Sequence, residues 1–488
     1  MNNRSARIFV SAAARRGLVC LLLVLLAATA RTALAAGPVS PRLRVSQNGR
    51  FLVNEFGRPV FLLCDTAWSL VQRMNRDDVE TYLRHRRAEG FNAVTFVLFT
   101  PGNRDITDTL KNAYGHVPFA LVGGRPDPTQ PLVTPGADPA SAEQYDFWDH
   151  VDYAVALTKR LGPYAIVLPA WGSAVAGDYS GKPSRDQVFD EKNARNYGQW
   201  LGRRYGAEPH VLWMLGGDRR AVYGQLDYRP VFRSLAQGLT DGAGGQRQLL
   251  SFHPPKNSPQ SGDWFHNDPW LSLNSIQHWP EDQIPGITRD WRLTPPKPTW
   301  VFEPRYEGYW KKPYTATDWG AWQTRQQAYQ SVFAGGCGFT YGHERVFGFG
   351  QDGWDWRKVL DAPGASQMRH LAGLLSGWSQ ADYLSRVPDQ SLLDGDEGRA
   401  QRLASNRLTA TRNGDATLAM IYSANGRTVR VRLHKLGGKA IDAYWFGRNR
   451  CSATRRCGKR TGFLGSNGGR AVGILARSGS FGIPPTGR

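Results

Sequence analysis

Two carboxylates in this sequence each follow a short apolar run, and together they could act as a catalytic pair. Asp218 ends the run Val211-Leu-Trp-Met-Leu-Gly-Gly-Asp218, and Glu303 ends the run Lys297-Pro-Thr-Trp-Val-Phe-Glu303. Neither run alternates with polar residues, which is typical of strands buried on both faces of a parallel sheet. Two acids at the carboxyl ends of barrel strands are the arrangement that glycoside hydrolysis uses. The pattern therefore predicts Asp218 as the acid/base and Glu303 as the nucleophile of a retaining glycosidase.

Each acid also has a purely structural explanation. Asp218 could cap the helix that follows it, and Glu303 could pair with a buried arginine. Glu307 is a rival for the nucleophile role, but it lies further into the loop after the strand and would be held less firmly. Two acids on matching strand ends favour chemistry over two separate structural roles.

Other predicted strand ends carry polar and aromatic side chains of the kinds that a sugar site needs. Hydroxyl-rich ligands need many hydrogen bonds and a flat ring on which to stack. We therefore expect substrate contacts from Asp65, Trp68, Trp171, His253, Gln277, His278, Tyr306, Glu307, Tyr341 and His343. A non-catalytic polysaccharide-binding or cell-envelope protein could use the same strand-end residues to bind sugar. The intact pair of acids argues against that alternative.

The histidines suggest a different class of enzyme, a metal-dependent hydrolase barrel. Its zinc ligands would be the histidines and one of two aspartates, namely His253, His278, His343 and Asp65 or Asp218. Against this alternative, no His-x-His motif follows the first predicted strand, and no histidine or cysteine pair has a ligand spacing. We therefore expect neither a metal nor another cofactor.

The rest of the chain predicts a barrel that would bring these residues together. Eight apolar runs of strand length alternate with helical or long crossovers over about residues 55–380. The predicted strands span 60–64, 92–99, 164–168, 211–218, 249–252, 271–276, 299–302 and 338–341. Helices are predicted at 147–161, 190–205 and 324–333, and a further helix is predicted after a cap at Asn75. Residues 100–139 are predicted to form a long loop. The crossovers at 220–248 and 254–270 have no regular pattern. This alternation indicates an α/β fold, a (β/α)8 TIM barrel.

The two ends of the chain differ from the barrel. Residues 1–36 combine arginines, an apolar run and small residues near Ala35 and Ala36, which is typical of a cleaved signal peptide and predicts a secreted or periplasmic protein. Residues 37–383 would form the catalytic domain with an N-terminal β-hairpin. Residues 384–488 contain short alternating runs and predict a small antiparallel β-sandwich domain. No later segment is long and apolar enough to suggest stable membrane insertion.

The cysteines and the charge indicate the environment of the protein. Cys451 and Cys457 could form a disulfide in an oxidising compartment, whereas Cys64 and Cys337 lie in apolar runs and are expected to be buried thiols. The formal net charge of +20 favours acidic partners, with anionic polysaccharide among them. Nucleic-acid-binding motifs are missing from the sequence, so we expect a polysaccharide or oligosaccharide substrate and no nucleic-acid partner.

Several of these stretches together resemble a known family. They are Phe61-Leu-Leu-Cys-Asp-Thr-Ala-Trp68, Gly90-Phe-Asn92, Trp213-Met-Leu-Gly-Gly-Asp218, Phe252-His-Pro254, Gln277-His278, Phe302-Glu-Pro-Arg-Tyr-Glu307 and Phe339-Thr-Tyr-Gly-His343. Over about residues 40–380 the chain is similar to the apiosidase-like (β/α)8 glycoside hydrolases, long filed as a domain of unknown function. The resemblance implies a retaining glycosidase of plant pectin type, which acts on apiosyl linkages in the studied members of the family. It also implies Asp218 as the acid/base and Glu303 as the nucleophile.

The tail resembles a collagen-binding-type β-sandwich that often follows this barrel. The stretch Tyr444-Trp-Phe446 fits that domain, whereas the basic insert with its two cysteines does not. The resemblance implies a β-sandwich, and we do not infer collagen binding from it.

Overall fold

A computed structural model gives the fold. It describes residues 40–100, 110–257, 259–277, 280–309, 319–350, 353–395, 406–438, 440–446, 451–458 and 472–477. The predicted signal peptide and His278, one of the expected substrate contacts, lie outside these residues.

A short antiparallel sheet precedes an eight-stranded parallel barrel. The first sheet contains β1 (Leu43–Val45), β2 (Leu52–Asn54) and β3 (Pro59–Val60). The strands that follow are β4 (Leu62–Thr66), β5 (Ala93–Val97), the hairpin β6 (Phe119–Val122) and β7 (Arg125–Pro131), β8 (Tyr164–Leu168), β9 (Val211–Gly216), the hairpin β10 (Val222–Tyr223) and β11 (Leu226–Asp227), β12 (Leu250–His253), β13 (Asn274–Ile276), β14 (Thr299–Val301) and β15 (Gly338–Tyr341). The pairing of β1 with β2 and of β2 with β3 confirms the predicted N-terminal hairpin.

The barrel strands pair in the order β12-β9-β8-β5-β4-β15-β14-β13, and the neighbours run parallel. The sheet closes between β12 and the start of β13. There Leu250 pairs in parallel with Leu271, and the N–H of Ser272 donates to the Leu250 carbonyl at 2.8 Å. Strands adjacent in sequence are thus adjacent in the barrel, as a (β/α)8 fold requires. The predicted barrel is confirmed, with all eight expected strands in place.

Helices connect these strands. They are α1 (Leu70–Arg73), α2 (Arg76–Ala88), α3 (Phe147–Leu161), α4 (Ser173–Ala176), α5 (Glu191–Tyr205), α6 (Arg229–Gly242), α7 (Ser261–Phe265), α8 (Pro280–Trp291), α9 (Ala321–Phe333), α10 (Pro363–Ser376) and α11 (Gln380–Leu384). Asn75 caps α2 as predicted, since its side chain accepts the N–H of Asp78. Asp190 caps α5 by accepting the N–H of Asn193. These caps fix where the outer helices begin.

Helix α6 occupies a crossover that showed no regular pattern in the sequence. A Cβ on Gly238 would lie 2.3 Å from the carbonyl oxygen of Arg195, and one on Gly242 would lie 2.2 Å from that of Gln199. The glycines that weaken the helical signal therefore allow the backbones of α5 and α6 to approach closely. The structure also corrects the predicted loop 100–139, because its described part contains the hairpin of β6 and β7.

An antiparallel sheet follows the barrel and packs against it. Its strands pair in the order β16 (Val387–Pro388), β17 (Leu408–Arg412), β18 (Leu418–Ser423), β21 (Val472–Arg477), β19 (Ala440–Phe446) and β20 (Cys451–Gly458). On one face, the ring of Tyr422 stacks on Tyr329 of α9 with centroids 4.8 Å apart. On the other face, Ile421 packs in a separate cluster with Leu392 and Val431. The small antiparallel β domain predicted after the barrel is confirmed, and its described strands form a single sheet, one face of which covers the barrel while the other covers a small core of its own.

The structure agrees with the sequence analysis for two of the cysteines and differs from it for two others. Cys64 and Cys337 are buried free thiols, which confirms the prediction. Cys451 and Cys457 lie on the same strand, β20. At about 3.3 Å per residue their Cα atoms are about 20 Å apart, far beyond the about 7 Å that a disulfide allows. This strand is thus incompatible with the disulfide considered from the sequence. None of the described helices is long and apolar enough to cross a membrane.

Candidate active site

The end of β9 has a backbone that requires glycine. Gly216, Gly217 and Asp218 have φ angles of 83°, 128° and 53°. A Cβ on Gly216 would lie 2.5 Å from the carbonyl oxygen of His253, and one on Gly217 would lie 2.6 Å from the ring of Trp171. Both positions therefore exclude a side chain, and Asp218 takes a left-handed conformation that is uncommon outside glycine. Strain of this kind is concentrated at functional sites.

Asp218, His253 and Glu303 converge at the carboxyl end of the barrel. One carboxylate oxygen of each acid and one ring nitrogen of His253 all lie within 4.8 Å of one another. The three residues come from the ends of β9, β12 and β14, and parallel strands end at the same edge of a barrel. Oxygen atoms this close are compatible with carboxyl groups about 5–5.5 Å apart, which is the separation found in retaining glycosidases.

Three donors hold the Glu303 carboxylate. Nε2 of His253 lies 2.7 Å and Nε2 of Gln277 lies 2.8 Å from its Oε2. The Tyr306 hydroxyl donates to Oε1 and in turn accepts a hydrogen bond of 2.8 Å from Nε1 of Trp68. The Glu303 side chain is 11% exposed. Glu303 is thus fixed from both oxygens while it still reaches the mouth of the barrel.

The environment of His253 favours its charged form. Its Nδ1 lies 2.8 Å from the carbonyl oxygen of Pro254, and its Nε2 faces Glu303, so both ring nitrogens meet acceptors. Burial lowers the pKa of His253, but the hydrogen bond and charge of Glu303 and the charge of Asp218 raise it overall. The ring is also enclosed by Trp68, Trp171 and Phe302, at centroid distances of 5.5, 5.5 and 5.2 Å. The two acids and the Pro254 carbonyl thus favour the protonated form of the ring over the neutral one.

Asp218 has the properties of a general acid. Burial and then the charge of Glu303 raise the pKa of Asp218 to about 6, although His253, a hydrogen bond from Gln277 and Arg219 oppose the shift. A carboxyl group with such a pKa holds a proton in mildly acidic solution and can donate it. Asp218 is therefore suited to donating a proton to a bound ligand.

The same geometry bears on whether these residues could hold a metal ion. Within the described part of the chain, the ligand-like groups are Asp218, His253 and Glu303, and separately His85, Glu89 and Asp361. In the first group, the 2.7 Å between His253 and Glu303 is a hydrogen-bond separation. Two ligands about 2.0–2.1 Å from a tetrahedral zinc ion would lie about 3.3 Å apart. The residues as placed therefore fit a hydrogen-bonded pair better than a zinc site, and neither group includes Asp65 or His343.

Several expected substrate contacts lie in a second, buried network instead. The fully buried Asp65 carboxylate accepts from the hydroxyl of Tyr82 and pairs with Arg86. Glu307, the rival nucleophile, accepts hydrogen bonds of 2.6 Å from the Tyr341 hydroxyl and 2.9 Å from the N–H of Gly364. These contacts differ from the substrate contacts suggested by the sequence for Asp65, Glu307 and Tyr341. They connect β4, α2, β15 and the loop that carries Tyr306.

Two further residues near the site are His343, which was an expected substrate contact, and Arg219, which the sequence did not indicate. Burial, followed by the charges of Arg86 and Arg345, lowers the pKa of His343 to about 4, and its Nδ1 accepts the N–H of Arg345 at 3.1 Å. Arg219, which the sequence analysis did not single out, is 1% exposed and donates to the carbonyls of Gly177 at 3.0 Å and Asp218 at 3.3 Å. Its position next to Asp218 was the one available signal.

Comparisons with known proteins agree with this geometry. The family model described as "Apiosidase-like, catalytic domain" matches residues 46–381, and that described as "Putative collagen-binding domain of a collagenase" matches residues 387–460. A solved structure described as a glycoside hydrolase is 26% identical, with a TM-score of 0.76, and the match covers 90% of this chain and 97% of that one. A family 5 glycoside hydrolase from Bacteroides vulgatus is 27% identical, with a TM-score of 0.75, over 90% of this chain and 93% of its own.

A further structure from Bacteroides vulgatus, described as "a putative glycoside hydrolase", shares the fold alone. It is 15% identical with a TM-score of 0.63, and the match covers 90% of this chain and 83% of its own. A comparison with curated protein sequences finds no match. The first family model covers more than two thirds of the chain and contains both strand-end acids. The chain therefore belongs to the apiosidase-like family and is a glycoside hydrolase.

Proposed function

We propose that this protein is an exported retaining glycosidase that cleaves O-glycosidic bonds in a complex polysaccharide, pectin or another acidic glycan. The observation that carries the proposal is the pair of strand-end acids with oxygen atoms within 4.8 Å of each other. Five arginines of the formal charge of +20 lie in residues 1–36, and the charge of about +15 that remains on the rest of the chain supports an acidic substrate. In this proposal residues 1–36 are removed on export, 37–383 form the catalytic domain, and 384–488 form the appended β domain.

In the first step Glu303 attacks the anomeric carbon while Asp218 donates its proton to the leaving oxygen. The bond from the anomeric carbon to that oxygen breaks, and an ester forms between the sugar and Glu303. The donors Tyr306, Gln277 and His253 orient the attacking carboxylate. Because these side chains are themselves held by packing, the nucleophile is already in position when substrate arrives.

In the second step Asp218 acts as a base. Formation of the ester removes the negative charge of Glu303, which is one of the causes that raise the pKa of Asp218. The pKa of Asp218 therefore falls once the first step is complete, so the carboxylate that gave up its proton stays ionised and is available to take a proton from the attacking water. The water oxygen bonds to the anomeric carbon, the ester bond breaks, and both carboxyl groups return to their starting states.

The test is a screen of the mature protein against pectins and acidic bacterial glycans, reading the sugars released. We expect release from at least one glycan by the wild type, and loss of that release in Asp218→Asn and Glu303→Gln. Binding measured in parallel by thermal shift should persist in both variants. Equal release by wild type and Glu303→Gln would refute the assigned nucleophile, and binding without release by the wild type would favour a non-catalytic polysaccharide-binding protein.

The stereochemical course tests the retaining mechanism separately. Proton NMR of the first product formed should show the same anomer as the substrate, because two successive displacements restore the configuration. An inverted first product would contradict the direct role of Glu303 as nucleophile even if the enzyme is active.

A further inference from the structure

An exposed tyrosine lies on the arginine that follows Asp218. Tyr179 is 59% exposed, whereas Arg219 is 1% exposed. The guanidinium carbon of Arg219 lies 3.7 Å from the centroid of the Tyr179 ring, which is a close cation–π contact. One face of the ring is therefore covered by a buried cation, and much of the remaining ring surface is open to solvent.

Arg219 connects this ring to the proposed acid. Its Nε donates to the Gly177 carbonyl at 3.0 Å and its Nη1 to the Asp218 carbonyl at 3.3 Å. Its side chain also packs on Gly172, where an added Cβ would lie 3.0 Å from Cβ of Arg219. Arg219 is adjacent to Asp218 in the chain and is held in one orientation. The ring of Tyr179 thus stacks on the side chain of the residue that follows Asp218, with its centroid 3.7 Å from the guanidinium carbon.

The turn that carries Tyr179 is held in place by hydrogen bonds and packing. Oδ1 of Asp178 accepts the N–H groups of Ser180 at 2.8 Å and Lys182 at 3.0 Å. The Tyr228 hydroxyl donates to the Gly181 carbonyl at 2.8 Å, and the ring of Tyr223 packs directly over Gly181. The loop after β9, which also carries Asp218, therefore holds the loop after β8 in place.

We propose that Tyr179 is the stacking platform for the leaving-group sugar, one subsite beyond the bond that is cleaved. This inference rests on the proposed function, because a general acid at Asp218 places the leaving group on its own side of the site. The apolar face of a sugar ring packs well on an exposed aromatic ring, and the fixed guanidinium keeps that ring oriented. The substrate is thus an oligosaccharide or polysaccharide in which the leaving group is itself a sugar.

The experiment compares two substrates that share the sugar identified by the screen. One is an oligosaccharide with a sugar leaving group, and the other is the corresponding glycosyl fluoride, whose leaving group has no ring. We expect Tyr179→Ala to lower kcat/KM for the oligosaccharide about tenfold and to leave the value for the fluoride unchanged. Tyr179→Phe keeps the ring and should retain wild-type values for both. Because Tyr179 is mostly exposed, these variants are expected to fold.

Phe56→Ala is the matched control. Phe56 is 74% exposed and lies in the turn between β2 and β3. The neighbouring Gly57 carbonyl accepts a hydrogen bond from Gln380 of α11. Because this turn contains none of the site residues, removal of the Phe56 ring should change kcat/KM for neither substrate. An oligosaccharide kcat/KM for Tyr179→Ala within twofold of wild type would overturn the subsite. Equal losses on both substrates would also overturn it, since Tyr179 would then act through Arg219 and Asp218. A wild type that cleaves neither substrate would instead refute the proposed function, and the subsite with it.

Discussion

Gly217→Ala tests whether the turn after β9 is required to place Asp218. The backbone at Gly217 has a φ of 128°, which strains any residue with a side chain, by about 1–3 kcal/mol. The new methyl group would lie 2.6 Å from the Trp171 ring and 2.9 Å from the backbone nitrogen of Gly172, neither of which is a flexible side-chain end. Overpacking of this kind costs about 1–3 kcal/mol more. We therefore expect the free energy of unfolding to fall by about 2–6 kcal/mol in total.

Gly57→Ala separates the two contributions. Gly57 has a φ of 76°, but a Cβ there would meet no atom within 4 Å. Its substitution should therefore cost only the about 1–2 kcal/mol of the left-handed conformation and leave activity intact. Urea unfolding followed by tryptophan fluorescence gives both stabilities. The difference between the two variants measures the clash with Trp171 and Gly172.

Activity completes this test. A shifted Trp171 and a displaced Asp218 should reduce kcat by at least tenfold in Gly217→Ala, because small misplacements of catalytic groups have large effects. A Gly217→Ala protein as stable as Gly57→Ala and fully active would refute the reasoning that links the two glycines to the position of the acid.

Further predictions concern the groups around Glu303. Tyr306→Phe removes the hydroxyl that donates to Glu303 and accepts from Trp68. We expect thermal unfolding to show a free energy of unfolding lower by about 1–3 kcal/mol, and kcat/KM to fall at least tenfold. Wild-type values for both would contradict this role. Because burial and the charge of Glu303 raise the pKa of Asp218 to about 6, its protonated form is lost as pH rises through that value. The kcat/KM for an oligosaccharide should then fall about tenfold per pH unit above about 6, whereas a glycosyl fluoride, which needs no proton, should lack this decline. His253→Gln keeps an amide donor without the positive charge that lowers the pKa of Asp218, so the decline should move to higher pH; an unmoved decline would show that His253 is neutral in the enzyme. Under the two-carboxylate mechanism EDTA should leave activity unchanged, and loss that zinc restores would favour a metal-dependent reaction instead.

The barrel could be predicted because its strands are buried on both faces. Such strands read as continuous apolar runs, and the runs that end at Asp218 and Glu303 are the plainest examples. Helix α6 could not be predicted in the same way, since Gly238 and Gly242 resemble helix breakers until the close approach of α5 is known. The local sequence pattern is therefore enough to predict the barrel strands. The helix in the crossover after β9 depends on its contacts with α5, which the local pattern does not contain.

The candidate site was predictable in its members but not in their contacts. Residues at strand ends meet at one edge of the barrel, so a sequence pattern can nominate Gln277, Tyr306 and Glu307. It cannot tell which side chain faces the substrate and which holds another side chain. In the structure Gln277 and Tyr306 hold Glu303, while Glu307 accepts from Tyr341 in the buried network. These pairings depend on residues far apart in the sequence.

The most direct test of the central claim is mass spectrometry of the covalent intermediate. Asp218→Asn would be mixed with the glycosyl fluoride of the sugar found by the screen, quenched in acid and digested with pepsin. The two-step mechanism predicts a peptide containing Glu303 that carries one glycosyl group, which accumulates because the second step lacks its base, and no such adduct in Glu303→Gln. An adduct on Glu307, or turnover with an inverted product and no adduct, would contradict it.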